Sequence, residues 1–464
     1  MPFPSVLIAA LRGGSGKTIL SVGIVAALAD RGLRISPFKK GPDYIDAGWL
    51  ALAAGRPCYN LDTFLVSGDV VRRSFQFRTA RTDLALIEGN RGLYDGIDIH
   101  GRTSTAELAK LIQAPVVLCL DCTKTTRTMA AVVAGCHQFD PEVPIKGVVL
   151  NRVAGRRHEK ILRDSIEHFC GIPVLGAIPK LAERDFPERH MGLVPTAEHL
   201  WAMDSVTAAA RAARENIDLE AVIGIAEEAA RTASAPDLPP PSGFVATRRP
   251  QPKIGILKDS AFQFYYPENI EALAAAGAQI VFASPLGAQP LPALDGLYIG
   301  GGFPETHAQA LAENVSFRNK IKQLADDGMP IYAECGGLMY LGRNLVLDET
   351  VYPMAGVLPL DYGFCRRPQG HGYTVALVER DNPFFPKGAE IRGHEFHYSQ
   401  VIDYRGRPAD LVFAMQRGKG IHEGRDGLVF KNVLATYTHI HALGTPDWAK
   451  ALVARAAEFR GSKK

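Results

Sequence analysis

Two short stretches of this 464-residue chain combine residue types that can do chemistry. The first is Leu11-Arg12-Gly13-Gly14-Ser15-Gly16-Lys17-Thr18, which follows an apolar run and opens an amphipathic one. Glycines at such a turn let backbone N–H groups curl around phosphate oxygens, a lysine adds a point positive charge, and a threonine hydroxyl can sit on Mg2+. Arg12, Gly13, Gly14, Ser15, Gly16, Lys17 and Thr18 are therefore the expected ATP-binding set. The second is Ala333-Glu334-Cys335-Gly336-Gly337, between the apolar PIY and LMYL. Small neighbours permit a tight strand-to-helix turn that exposes a nucleophile. Cys335 is the expected nucleophile, its thiolate favoured by the helix N-terminus and an imidazole. Backbone N–H groups of Gly336 and of the loop Gly300-Gly301-Gly302-Phe303-Pro304 are placed to form an oxyanion hole.

Each site needs partners from elsewhere in the chain. FKKGPDYID (38–46) and IEGNRGLYDG (87–96) both follow apolar strands, and ligands of open parallel sheets gather at strand carboxyl ends. Mg2+ takes hard oxygens, one or two carboxylates beside phosphate and water. Thr18, Asp43 and Glu88 are the expected ligands, with Asp46 and Asp95 ranked second. Asn151, closing GVVLNR, is expected to read the adenine edge. For Cys335, two histidine patterns compete as the source of a base: His439 and His441 after NVLATY, and His394 and His397 in GHEFHY. The second could hold a metal by its H-x-x-H spacing, but recognition of substrate carboxylates or plain packing, in equal measure, is preferred. Cys119 and Cys122, in PVVLCLDC, read as buried structural thiols.

Positioning these residues requires two α/β halves. Short apolar strands (6–10, 34–38, 84–87, 116–120, 147–150, 174–178) alternate with amphipathic stretches (18–30, 104–111, 128–136, 158–168, 218–231), the rhythm of a parallel sheet. SAPDLPPPSG then breaks the pattern. A second α/β pattern begins at Lys253, and beyond Glu349 the strands become short, glycine-rich and antiparallel in texture. Three segments result: a P-loop domain over 1–232, a linker over 233–251, and a second α/β domain over 252–464. With 52 Lys+Arg against 49 Asp+Glu, the charge of +3 is too balanced to suggest nucleic acid or an anionic membrane as partner. No apolar run reaches the length of a bilayer span. The C-terminal stretch 447–459 is amphipathic, and packing is preferred over membrane binding. Seven scattered cysteines point to free thiols and a reducing cytoplasm. Oligomeric state is left open, a homodimer included.

KKGPDYID, IEGNRGLYDG, PERHMGLVPTAE, FYYPEN, YIGGGFPE, AECGGLMYL and RGHEFHYS, in this order across both halves, resemble the cobyrinic acid a,c-diamide synthase family. GGSGKT is similar to the deviant P-loops of the MinD and dethiobiotin-synthetase superfamily, with Arg12 where MinD-like ATPases carry a signature lysine. The resemblance implies a dethiobiotin-synthetase-like parallel-sheet domain fused to a class I glutamine amidotransferase domain. It implies ATP- and glutamine-dependent amidation of the a and c acetates of a sirohydrochlorin-derived macrocycle. Cobyrinate is the expected substrate, with sirohaem and nickel-sirohydrochlorin as alternatives. Likeness to related amidotransferases selects His439 over His441 as base. It also implies a Cys–His pair without a third carboxylate, since His441 stands where many class I enzymes have glutamate. Arg12, Lys39, Lys40, Arg91 and His190 are the expected donors to a carboxylate-rich macrocycle. A rival of another class is a MinD-like ATPase switch, which would have no use for the second domain.

Overall fold

The computed structural model describes residues 3–180, 188–189, 192–199, 201–232 and 251–462. His190 lies outside them, as does the expected linker apart from Gln251. The chain divides into two compact units, Met1–Pro241 and Ser242–Lys464.

In the first unit the apolar runs become a seven-stranded sheet. Its strands are β1 (Ser5–Ala10), β2 (Ile35–Lys40), β3 (Tyr59–Leu61), β4 (Leu84–Glu88), β5 (Val116–Asp121), β6 (Ile145–Val153) and β7 (Val174–Pro179). Their order is β3-β2-β4-β1-β5-β6-β7, with every neighbouring pair parallel. Strands covered on both faces read as continuous apolar runs rather than alternating ones, which explains LALI and VVLCL. β1 lies between β4 and β5, where successive connections leave in opposite directions and a crevice opens at the strand ends. The glycine loop leads from β1 into α1 (Lys17–Ala29), whose central stretch Leu20–Leu28 is wholly buried. Each fully buried Leu, Val or Ile there contributes about 1.5–3 kcal/mol of hydrophobic stabilisation.

Among the elements of this unit that were not expected are the helices Gly68–Thr79 and Ala202–Asn216, and the two that follow. β3 is a three-residue edge strand, too short to show a period. α2 (Ile45–Ala54) begins inside what read as a loop; Trp49 and Leu50 are completely buried, so packing overrides the cost of Gly48.

The second unit carries a ten-stranded sheet. Gln279–Ala283, Lys253–Leu257, Gly296–Ile299, Ile331–Glu334 and Val433–Thr436 lie side by side and parallel. Arg425–Phe430, Leu411–Arg417, Gly370–Val378, Glu390–His397 and His439–Ile440 continue it antiparallel, matching the change of texture beyond Glu349. A separate four-stranded sheet holds Thr350–Pro353, Asn344–Leu347, Leu360–Phe364 and Ser399–Tyr404. The C-terminal helix Pro446–Ser462 buries Trp448, Leu452, Val453, Ala456 and Phe459, so its apolar face serves the core. Among the described residues, no helix is long and apolar enough to cross a membrane.

Candidate active sites

The phosphate loop is built as its glycines require. Gly14 and Gly16 have φ of 70° and 89°, in the left-handed region that a side chain disfavours. A Cβ on Gly16 would lie 2.2 Å from Nδ2 of Asn151. That amide donates to the Ser15 carbonyl at 2.8 Å, while its Oδ1 accepts the Arg152 N–H at 3.0 Å. Asn151 thus braces the loop from β6, and its carboxamide is engaged there rather than turned outward. Lys17 Nζ donates to the carbonyls of Arg12 and Arg91 at 3.3 and 3.0 Å. Burial and the neighbouring Lys39 charge lower its pKa. Arg12 is exposed, 3.4 Å from Asp121. Cys119, buried below the loop, directs its thiol at the Ser15 carbonyl; burial pushes it and Cys122 up to about 12, fitting two inert thiols.

Beside the loop lies a buried charge cluster. Lys39 Nζ, at the end of β2, donates to Asp46 Oδ2 at 2.6 Å and to Glu88 Oε1 at 2.8 Å. Thr18 Oγ1 donates to the same Glu88 oxygen at 2.8 Å. Glu88 Oε2 is buried with no hydrogen-bond partner among the described residues. Burial opposes the Lys39 charge, yet Asp46 and Glu88 override it and raise its pKa above the ordinary range. Burial lifts Glu88 to about 7, Lys39 pulling the other way. Asp43 is lifted to about 6 by burial and by repulsion from Asp46.

This changes the ranking of the carboxylates. Asp43, a first choice as a metal ligand, has its Oδ1 accepting the Asp46 N–H at 2.9 Å, in the first turn of α2. Asp46, ranked second, sits in the cluster with Thr18 and Glu88. Asp95 accepts the Gly92 N–H at 2.8 Å and shapes its own turn. Lys39 and Lys40 are 1% and 6% exposed, so the expected surface donors are internal cations. Arg12 and Arg91 remain exposed. No cluster of three or more His, Cys, Asp or Glu able to hold a metal occurs among the described residues. The hydroxyl of Thr18 with the carboxylates of Glu88 and Asp46 still fits Mg2+, which takes most of its ligands from phosphate and water.

In the second unit Cys335 ends the strand Ile331–Glu334 with φ 47° and ψ −99°, the strained turn expected of a nucleophile elbow, although the residue is buried rather than exposed, at 5%. Its N–H donates to the Thr436 carbonyl at 2.8 Å, tying the turn to the neighbouring strand. The glycine loop closes on the turn. Gly337 N donates to the Gly300 carbonyl at 3.1 Å, and a Cβ on Gly336 would stand 3.0 Å from the Gly302 nitrogen. A Cβ on Gly301 would meet His439 Cε1 at 2.4 Å and Nε2 at 3.2 Å. The elbow, the glycine loop and His439 therefore meet at one place. Burial above all, with the Glu305 charge added, pushes the Cys335 thiol well up. A thiol held this way calls for a base to take its proton as it attacks.

His439 and His441 part company. His439 stacks on His394, ring centroids 4.8 Å apart at 18°, and its Nδ1 lies 3.6 Å from Glu334. His441 is fully buried, 3.6 Å from Glu268. His394 and His397 also diverge: the first stacks on His439, the second on Tyr437 at 3.7 Å. A shared metal between them is overturned, since residues three apart on a strand point to opposite faces.

Two residues of this site carried no sequence signal of their role. Glu334 stood inside the quoted elbow without an assignment. Asp426, fully buried, accepts from Thr436 Oγ1, Thr438 Oγ1 and the backbone N–H groups of Tyr437 and Thr438, at 2.7–3.1 Å. It fixes the turn that delivers His439. Only contacts across the fold reveal either.

A phosphate-binding unit joined to a thiol–imidazole unit defines a glutamine-dependent, ATP-driven amide-forming ligase, and the family comparisons agree. Residues 6–194 match the CobQ/CobB/MinD/ParA nucleotide binding domain and residues 253–446 the CobB/CobQ-like glutamine amidotransferase domain. A cobyrinate a,c-diamide synthase of Magnetococcus marinus is 44% identical over 100% of this chain and 99% of its own. Proteins of the same name from Methanosarcina acetivorans and Archaeoglobus fulgidus are each 38% identical, over 99% and 98% of this chain and 97% and 98% of theirs. The chain belongs to the cobyrinate a,c-diamide synthase family. The amidotransferase domain removes the reading as a solitary ATPase switch.

Proposed function

We propose that the protein amidates the a and c acetate carboxylates of cobyrinate, with glutamine as nitrogen source and ATP as activator. The observation that carries this reading is the full-length likeness, through both units, to relatives named cobyrinate a,c-diamide synthase.

A carboxylate is a poor electrophile because its charge is delocalised and its oxygen leaves badly. Phosphoryl transfer from ATP to that oxygen creates a leaving group. In this reading Gly13, Gly14, Ser15 and Gly16 cradle the phosphates, Asn151 keeps the cradle in shape, and Lys17 exchanges its two carbonyls for phosphate oxygens. Arg12 and Arg91 are the exposed donors for substrate carboxylates. Thr18 and Glu88, with Asp46, would hold Mg2+, which when bound supplies neutralising charge at the phosphoryl group. Cys335 and His439 release ammonia from glutamine, and ammonia displaces phosphate from the acyl phosphate. Free thiols, seven in the chain and buried or half-buried, support a cytoplasmic setting.

Glu88 must be ionised to serve a cation. With its pKa near 7, the proton returns as pH falls through that value. The Kd for MgATP, measured by equilibrium binding without a nitrogen source, is therefore expected to rise several-fold between about pH 8 and about pH 6. Measurement of the Glu88→Gln variant, whose Kd should be high and flat over the same range, assigns the effect to this group.

The substrate is tested by offering cobyrinate, sirohaem and nickel-sirohydrochlorin in turn with MgATP and glutamine, and weighing the products by mass spectrometry. Cobyrinate is expected to show the acid-to-amide mass change at both positions. If sirohaem or nickel-sirohydrochlorin alone changes mass, the assignment to cobyrinate is lost while the amidation chemistry stands.

A further inference from the structure

A glutaminase histidine works only in one tautomer, with Nε2 open to receive the thiol proton and Nδ1 carrying a hydrogen. Something must hold that hydrogen. The position two residues beyond His439 is His441, which is no carboxylate and whose ring faces Glu268 at 3.6 Å.

The carboxylate at His439 comes from the residue before the nucleophile. Glu334 Oε2 lies 3.6 Å from His439 Nδ1, and both side chains are essentially removed from solvent. Glu334 is itself held fast. Tyr298 Oη donates to Oε2 at 2.8 Å, and Tyr332 Oη donates to Oε1 at 3.3 Å. Ile440 N donates to Oε1 at 3.0 Å, so one carboxylate grips the backbone next to His439 while facing its ring. Burial, followed by the Glu334 charge, pushes both phenols far above their ordinary pKa, and they stay protonated donors. The imidazole is thereby bounded on three sides: Glu334 at Nδ1, the His394 face, and Gly301 at the Cε1–Nε2 edge. The 3.6 Å separation is longer than a hydrogen bond, and such contacts commonly tighten when substrate fills the site.

We propose that Glu334 is the positioning residue of the glutaminase, accepting from Nδ1–H of His439 and stabilising the imidazolium formed during attack. The inference rests on Cys335 and His439 being the glutaminase pair. In the step, the Sγ proton passes to Nε2 while sulfur bonds to the carboxamide carbon and the C=O π pair moves onto oxygen. Collapse breaks the C–N bond, and the leaving nitrogen takes the proton from Nε2. Water then cleaves the thioester to glutamate, and Glu334 neither gains nor loses a proton. Placing the carboxylate beside the nucleophile in sequence binds base and thiol through one strand end. The register sets this up, since Glu334 pairs with Thr436 on the adjacent strand that leads to His439.

Glu334→Gln and Glu334→Asp in the full-length protein test this. A purely structural Glu334 could be replaced by glutamine, whose carbonyl still accepts from Ile440. An electrostatic one could not. Glu334→Gln is expected to lower kcat for glutamine hydrolysis by about 100-fold or more, with a smaller change in KM. The acid limb of its pH profile should move to lower pH, because the charge favouring imidazolium is gone. Glu334→Asp, keeping the charge, should return the limb towards wild type. Ammonia-dependent amidation, which bypasses the glutamine site, is the control. Unchanged kcat and acid limb in Glu334→Gln overturn the proposal, as does a parallel loss of the control activity. Glutamate formation that survives in Cys335→Ala would remove the pair itself, a separate failure read in a separate protein.

Discussion

Cys335→Ala is expected to abolish glutamine-dependent amidation while amidation from free ammonia continues. The thiol supplies the covalent bond of glutamine hydrolysis; without it His439 has no thiol proton to take, and Tyr437 is locked against His397 and Ser399. The fall in glutamine-dependent rate should be on the order of 10^4-fold or more, since losing a nucleophile costs nearly the whole catalytic advantage of its constellation. The substitution removes one sulfur from the buried core and should leave the phosphate loop untouched. Assays with glutamine and with an ammonium salt, in buffer alkaline enough to hold free ammonia, read the two nitrogen sources separately. Equal loss with both would mean that the two chemistries are not separable.

Much of this division is legible in the amino-acid sequence. Apolar runs bounded by glycine and charged loops gave the central strands of the first sheet, because doubly covered parallel strands leave a dense local signal. The phosphate loop and the cysteine elbow were legible for a related reason: both need glycine at fixed offsets from a functional side chain, so the constraint is written locally. The charge cluster was not. Asp43 and Asp46 are indistinguishable in KGPDYID, and the first turn of α2 decides which one caps and which one meets Lys39. Lys39 and Lys40 read as donors to substrate because two lysines in a polar loop usually face water; here both are buried, and their charge is directed inward. The carboxylate at His439 was missed because expectation looked downstream of the histidine, whereas strand pairing brings it from 105 residues upstream, at Glu334. Contacts between distant segments have no local signature.

The Lys39 ammonium provides the second large effect. It neutralises Asp46 and Glu88 in a largely dry space, the Lys39 and Glu88 side chains essentially unexposed and the Asp46 side chain 19% exposed. Lys39→Met keeps the volume and removes the charge. Two carboxylates would then share one threonine hydroxyl, and breaking such a buried pairing by deleting one partner costs about 3–5 kcal/mol. One of the acids would answer by taking up a proton, which dismantles the oxygen set expected to serve Mg2+. Amidation should therefore fall on the order of 10^3-fold from glutamine and ammonia alike, in contrast to the selective loss in Cys335→Ala. Glutamine hydrolysis by the second unit is the internal control. Chemical denaturation at neutral pH reads the stability loss, and adding Glu88→Gln to Lys39→Met should recover part of it without recovering amidation, because the stranded charge is gone but the site is not restored. A Lys39→Met protein with wild-type stability would show that the cluster is hydrated, and the buried ion pair would have to be abandoned as the element that holds this site together.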